Sequence, residues 1–150
     1  MLLNSICMLD VACCSPRTTV LEAAHLMRQK HTGDLVVVDD GGTNEAAPLG
    51  VITDRDIVIE VLGKGLDPAS TLVSTLMRTP VVIANQGEDT SQALERMRTH
   101  GVRRLPVVSD SGALVGIVTV DDLVKRLAAD ATALLDVISR EQTHEQRTRR

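Results

Sequence analysis

Short unbroken apolar runs alternate with stretches of helical spacing along this chain. Residues 35–38, 51–52, 105–108 and 114–118 are almost wholly Val, Leu and Ile, the pattern of strands buried on both faces. Residues 11–14 and 81–84 read as two further short strands, the first ended by Ser15-Pro16. Between them, Val20, Ala23, Ala24 and Met27 fall at helical spacing, as do Leu94 and Met97. Each of these helices opens on a capping box, Thr19-x-x-Glu22 and Asp89-x-x-Gln92, and each meets a glycine, Gly33 or Gly101, where it should stop. Residues 1–9 predict a short helix or turn, and residues 70–77 a second short helix before Pro80. Residues 56–62 predict a helix closed by Gly63, Gly65 and Pro68. From Asp121 a long helix runs through Leu127, Leu134, Leu135 and Ile138, with more apolar surface than one small unit needs. Residues 141–150 hold no apolar side chain and predict a frayed tail.

The pattern occurs twice. Ala23 and Met27 recur as Ala93 and Met97, an offset of 70 that also carries residues 35–38 onto 105–108 and 11–13 onto 81–83. Beyond residues 39–48 the offset falls to 66, so that loop holds a four-residue excess, a length change loops tolerate. Gly50-x-x-Thr53-x-x-Asp56 then matches Gly116-x-x-Thr119-x-x-Asp122. In both, a strand ends at a threonine fit to cap the following helix, and the aspartate sits in the first turn, where the helix dipole favours negative charge. Alone, such a stretch is a variant capping box and needs no ligand. Duplicated within a longer repeat of strand, helix, strand, loop, strand, helix, it marks the organising feature of the chain. The repeat divides the chain into residues 1–68, residues 69–130, and a helical extension with a charged tail at 131–150.

Ala23-x-x-x-Met27, Arg103-Arg104-Leu105-Pro106-Val107-Val108 and the two Gly-x-x-Thr-x-x-Asp stretches together resemble a tandem pair of cystathionine-β-synthase (CBS) domains, the arrangement called a Bateman module. The first copy departs from the pattern, with Gly33-Asp34 for Arg103-Arg104 and Val36 for Pro106. The resemblance implies an α/β fold of two βαββα units related by a pseudo-twofold axis. It also implies a regulatory, signal-transducing module that binds an adenosine-containing ligand such as AMP, ATP, NAD or S-adenosylmethionine, with no required cofactor. By position, Asp122 would hold a ribose, Thr119 and Ile117 would complete that site, and Ala12 would come from the other copy. Asp56, Thr53 and Val51 would form the symmetric site, facing Val82. Arg103 and Arg104 stand at the rim of the Asp122 site, where guanidinium forks suit phosphate. Asp34 in the place of Arg104 is expected to repel phosphate from the Asp56 site, so the Asp122 site should bind adenosine phosphates more tightly. A regulated enzyme or transporter is the implied downstream partner. The alternative is a ligand-free interaction module whose Thr and Asp residues only cap helices.

Composition narrows these readings. There is no Phe, Tyr or Trp, and the net charge is −4, so neither base stacking nor a basic footprint supports a nucleic-acid partner. Three cysteines, two of them adjacent at Cys13 and Cys14, do not form a disulfide framework and read as small apolar strand residues. An enzyme is not expected, a thiol chemistry at Cys13 or Cys14 being the weakest of the three readings. His25, His31, His100 and His144 lack metal-ligand spacing and read as surface residues, so no metal site is expected. With no cationic leader and no run of ~20 apolar residues, a soluble, cytoplasmic protein is expected, away from the membrane. The surplus apolar face of the last helix predicts a homodimer.

Overall fold

The computed structural model describes residues 1–7, 9–39 and 46–149. The longer first loop falls mostly outside them. Two three-stranded sheets form, one per copy. In the first, β1 (Cys13–Cys14) runs parallel to β2 (Asp34–Val38), and β2 runs antiparallel to β3 (Pro48–Thr53). In the second, β4 (Ala84–Asn85), β5 (Arg104–Val108) and β6 (Leu114–Thr119) repeat that order and sense. Even the irregularity repeats, with register shifts at Val37/Val38 and at Val107/Val108. The expected α/β pair of duplicated units is the observed fold.

The helix caps fall where the sequence places them, with α2 and α4 starting two and one residues ahead of the expected Asp56 and Asp121. Thr19 caps α1 (Val20–Lys30) and Asp89 caps α3 (Thr90–His100), both with reciprocal capping boxes. Thr53 caps the short α2 (Asp54–Asp56), which continues as a π-helical turn over Ile57–Leu62, and Thr119 caps α4 (Val120–Thr148). The ends are less faithful to expectation. α1 stops before Gly33: His31 takes the left-handed conformation, φ 53°, at the position where Gly101 closes α3 with φ 63°. Residues 141–148 stay helical rather than fray, with Thr143 and Thr148 hydroxyls bonded back to the preceding turn. The segments expected as short helices at 1–9 and 70–77 shrink to single 3-10 turns, Leu3–Ser5 and Val73–Thr75.

These two turns join the halves in a crossed manner. Leu3 is fully buried among Ala84, Ala93, Met97, Leu105, Val107 and Val118, the core of the second copy. Val73 is fully buried among Val20, Ala23, Leu35, Val37 and Ile52, the core of the first. Backbone bonds fix both: Leu3 N–H donates to Glu88 O, and Val73 N–H to Thr18 O. Each copy is therefore completed by the segment that precedes the other, and the boundary read at 68/69 does not separate two independent cores. Gly50 belongs to the same arrangement. A Cβ there would meet Met77 and the Arg78 carbonyl at 3.0–3.1 Å, so the close pass of the connecting segment over β3 favours glycine, a larger residue requiring that segment to give by a few tenths of an ångström.

Candidate functional site

The carboxyl end of β6 opens on a cavity of about 440 Å3 between the two copies. The second copy contributes Arg103, Arg104, Ile117, Thr119, Val120 and Asp121; the first contributes Asp10, Val11, Ala12, Lys30, His31, Thr32 and Asp34. Ala12, Ile117, Thr119, Arg103 and Arg104, all singled out from the sequence, come together on this one cavity. Register explains part of this. Arg104 pairs directly with Thr119 across the β5–β6 ladder, so the arginine and the helix cap share one end of the sheet.

Asp122 stands one step back from the wall. Its Oδ2 accepts from both the N–H and the hydroxyl of Thr119, each at 2.9 Å, while the Asp122 N–H donates to Thr119 Oγ1 at 3.2 Å. Its neighbour Asp121 does line the wall, exposed and 3.5 Å from Arg103. Asp121 was not expected from the sequence, although a first-turn residue beside a cap is a readable signal.

The symmetric position differs. Asp56 is buried, 8% exposed, and both of its oxygens are engaged: Oδ2 accepts from the Thr53 N–H at 3.0 Å, and Oδ1 lies 3.6 Å from the Arg78 guanidinium. Arg78 also bonds Val51 O through its backbone N–H, so the connecting segment covers this strand end. Val82 rests against the second core.

The expected role of Asp34 needs correcting. It does not mark the Asp56 side as the phosphate-repelling one. Although it pairs with Thr53 in the first sheet, its carboxylate reaches the shared cavity, where Oδ1 meets Arg104 Nη1 at 2.9 Å and accepts from the Thr32 hydroxyl at 3.0 Å. The pseudo-twofold relation brings the two equivalent positions face to face, and so joins them in an ion pair instead of dividing them between sites.

The thiols are held protonated. Burial and the neighbouring Cys13 push Cys14 up to about 11. Burial raises Cys13, and burial, with a smaller contribution from the Asp122 charge, raises Cys7 against the pull of a backbone hydrogen bond. A reactive cysteine needs the opposite shift. Among the described residues, no cluster of three or more His, Cys, Asp or Glu forms a metal site, and no helix is long and apolar enough to cross a membrane.

Two duplicated α/β units closed on one inter-copy cavity define a paired-domain module. The chain belongs to the CBS domain family, whose model matches residues 3–63 and 73–129. It is 38% identical to the CBS domain-containing protein YhcV of Bacillus subtilis, over 90% of this chain and 93% of that protein. It is 36% identical to a Methanopyrus kandleri protein over 77% of this chain, but spans only 57% of that longer relative. Its fold matches the CBS domain pair of protein MJ0100, solved with 5-methylthioadenosine and S-adenosyl-L-methionine, with a TM-score of 0.75 at 23% identity over 87% of this chain and 98% of that one.

Proposed function

We propose that the module senses an adenosine-containing small molecule, AMP, ATP, NAD or S-adenosylmethionine being the candidates, in the cavity between its two copies. The observation that carries this reading is the cavity itself: apolar Ile117 and Ala12 contributed by the two copies, a helix N-terminus at Thr119, and Arg103 and Arg104 in the lining. An adenine fits between Ile117 and Ala12. The ribose hydroxyls face the Asp122 carboxylate through Oδ1, which the cap leaves open. The tail of the ligand lies toward Arg103 and the end of α4. The Asp56 site, built on Thr53 and Val51 and facing Val82, is the weaker of the two, because Arg78 already engages its carboxylate. A fold relative that holds two adenosine compounds supports the ligand class. Since the cavity walls come from both copies, a ligand that favours one packing of the halves over another shifts that packing, the basis of regulation without chemistry.

Calorimetry with adenosine and AMP tests this. Asp122→Ala is expected to weaken adenosine at least about tenfold, the usual loss for a hydrogen bond to a charged group, and Asp56→Ala much less. Asp121→Ala separates the wall carboxylate from the cap. If Asp122→Ala binds as the parent does while Asp121→Ala does not, the ribose belongs to Asp121. The second reading, a ligand-free interaction module, draws on the same capping boxes, in which Thr53 with Asp56 and Thr119 with Asp122 already serve as helix caps. It requires that no adenosine compound raise the melting temperature.

A further inference from the structure

The Asp34–Arg104 pair bears on which adenosine ligand the cavity accepts, and the inference rests on the adenosine reading above. The cavity wall holds three carboxylates, Asp10, Asp34 and Asp121, against three permanent cations, Lys30, Arg103 and Arg104. It is therefore close to neutral, not a basic funnel. Its best-shielded cation, Arg104, is also the one already paired: the side chains of Arg104 and Asp34 are only 30% and 17% exposed, and the contact is 2.9 Å. Arg103, the other arginine, faces Asp121 with both side chains largely in solvent, where screening weakens the pair. Asp34 is moreover fixed in place, since the Thr32 hydroxyl donates to the same oxygen that meets Arg104. A phosphate approaching Arg104 must displace a carboxylate that is held from two sides, or sit beside it at like-charge distance.

We propose that Asp34 limits the negative charge the cavity accepts, so that it takes adenosine ligands with a neutral, zwitterionic or singly phosphorylated tail in preference to di- and triphosphates. A sulfonium-bearing tail meets Asp34 and Asp121 favourably, and a triphosphate meets them as repulsion. Asp34 is thus a specificity-determining residue contributed by the copy that supplies no ribose carboxylate to this site.

The test is calorimetry of adenosine, AMP, ATP and inorganic pyrophosphate on the full chain, as the parent, Asp34→Asn, Asp34→Ser and Asp34→Asn with Arg104→Gln. The parent should prefer AMP to ATP. Both single variants should raise the ratio of ATP to adenosine affinity by about tenfold or more, an effect that shrinks as salt rises. They should tighten pyrophosphate likewise, and the added Arg104→Gln should remove the gain. Asp34→Ser keeps an acceptor for Thr32, so agreement between the two single variants excludes a mere loss of local structure. If adenosine binds and the ratio does not move in either variant, the role of Asp34 is overturned while the adenosine reading stands. If pyrophosphate tightens in both variants but adenosine binds to none of the proteins, the adenosine reading fails and the charge limit stands. If neither probe binds any form, both fail.

Discussion

At the scale of single residues, His31 is the clearest departure from local preference. A left-handed conformation costs a side-chain-bearing residue roughly 1–2 kcal/mol, and the second copy avoids the cost by using Gly101. His31 also lines the cavity, and strain kept at such a place is expected where the side chain serves the site. His31→Gly is therefore predicted to stabilise the fold by about 1 kcal/mol, which raises the melting temperature by about 2–4 °C in a chain of this size, while weakening ligand affinity in the cavity. Scanning calorimetry and ligand titration on one variant check both signs; a loss of stability would show that His31 makes a contact worth more than its strain. Residue roles were legible where they are local. Thr119 with Asp122 and Thr53 with Asp56 declare themselves because a capping box spans only four residues. The Asp34–Arg104 bond was not legible, because alignment equates the two positions without saying that a pseudo-twofold axis brings them together.

At the scale of elements, α4 stands apart. It is 29 residues, roughly 44 Å long, and none of its residues is buried. Val124, Leu127, Ala131, Leu134 and Ile138 follow one another at alternating spacings of three and four, the seam of a two-stranded coiled coil, and the four larger ones are 50–70% exposed. A seam of this spacing is complementary to itself, so α4 of a second copy is its expected partner. Sedimentation is predicted to show a dimer at tens of micromolar, an ordinary affinity range, and Leu134→Glu a monomer with the fold intact by circular dichroism. A monomeric parent would refute the pairing. Helix starts were legible through their capping boxes. The far end of α4 was not: residues 141–149 lack apolar content, yet Glu, Gln and Arg are good helix formers, and the Glu145–Arg149 pair supports the last turn. The π-helical turn at Ile57–Leu62 has no counterpart in α4, and nothing in its sequence separates it from an ordinary helix.

At the scale of the whole molecule, the crossed segments make the halves one cooperative body. Leu3 closes the second core and Val73 the first, so neither half retains its buried set when cut at the connecting segment. Leu3→Ala is predicted to cost about 2–5 kcal/mol, as in other well-packed sites, and to lower a single melting transition common to both halves. Two separate transitions in calorimetry would sink this. The duplication itself was plain from the repeat, but its crossing was not, since a buried Leu near residue 3 serves either core equally well as a pattern. The crossing also sets a schedule for the growing chain. Leu3 is made well before the core that receives it, which is complete only once Val118 has been made. At ~5–20 residues per second that interval is about 6–23 s, during which one of the most deeply buried side chains of the finished molecule has nowhere to go and stands open to chaperones and to other nascent chains.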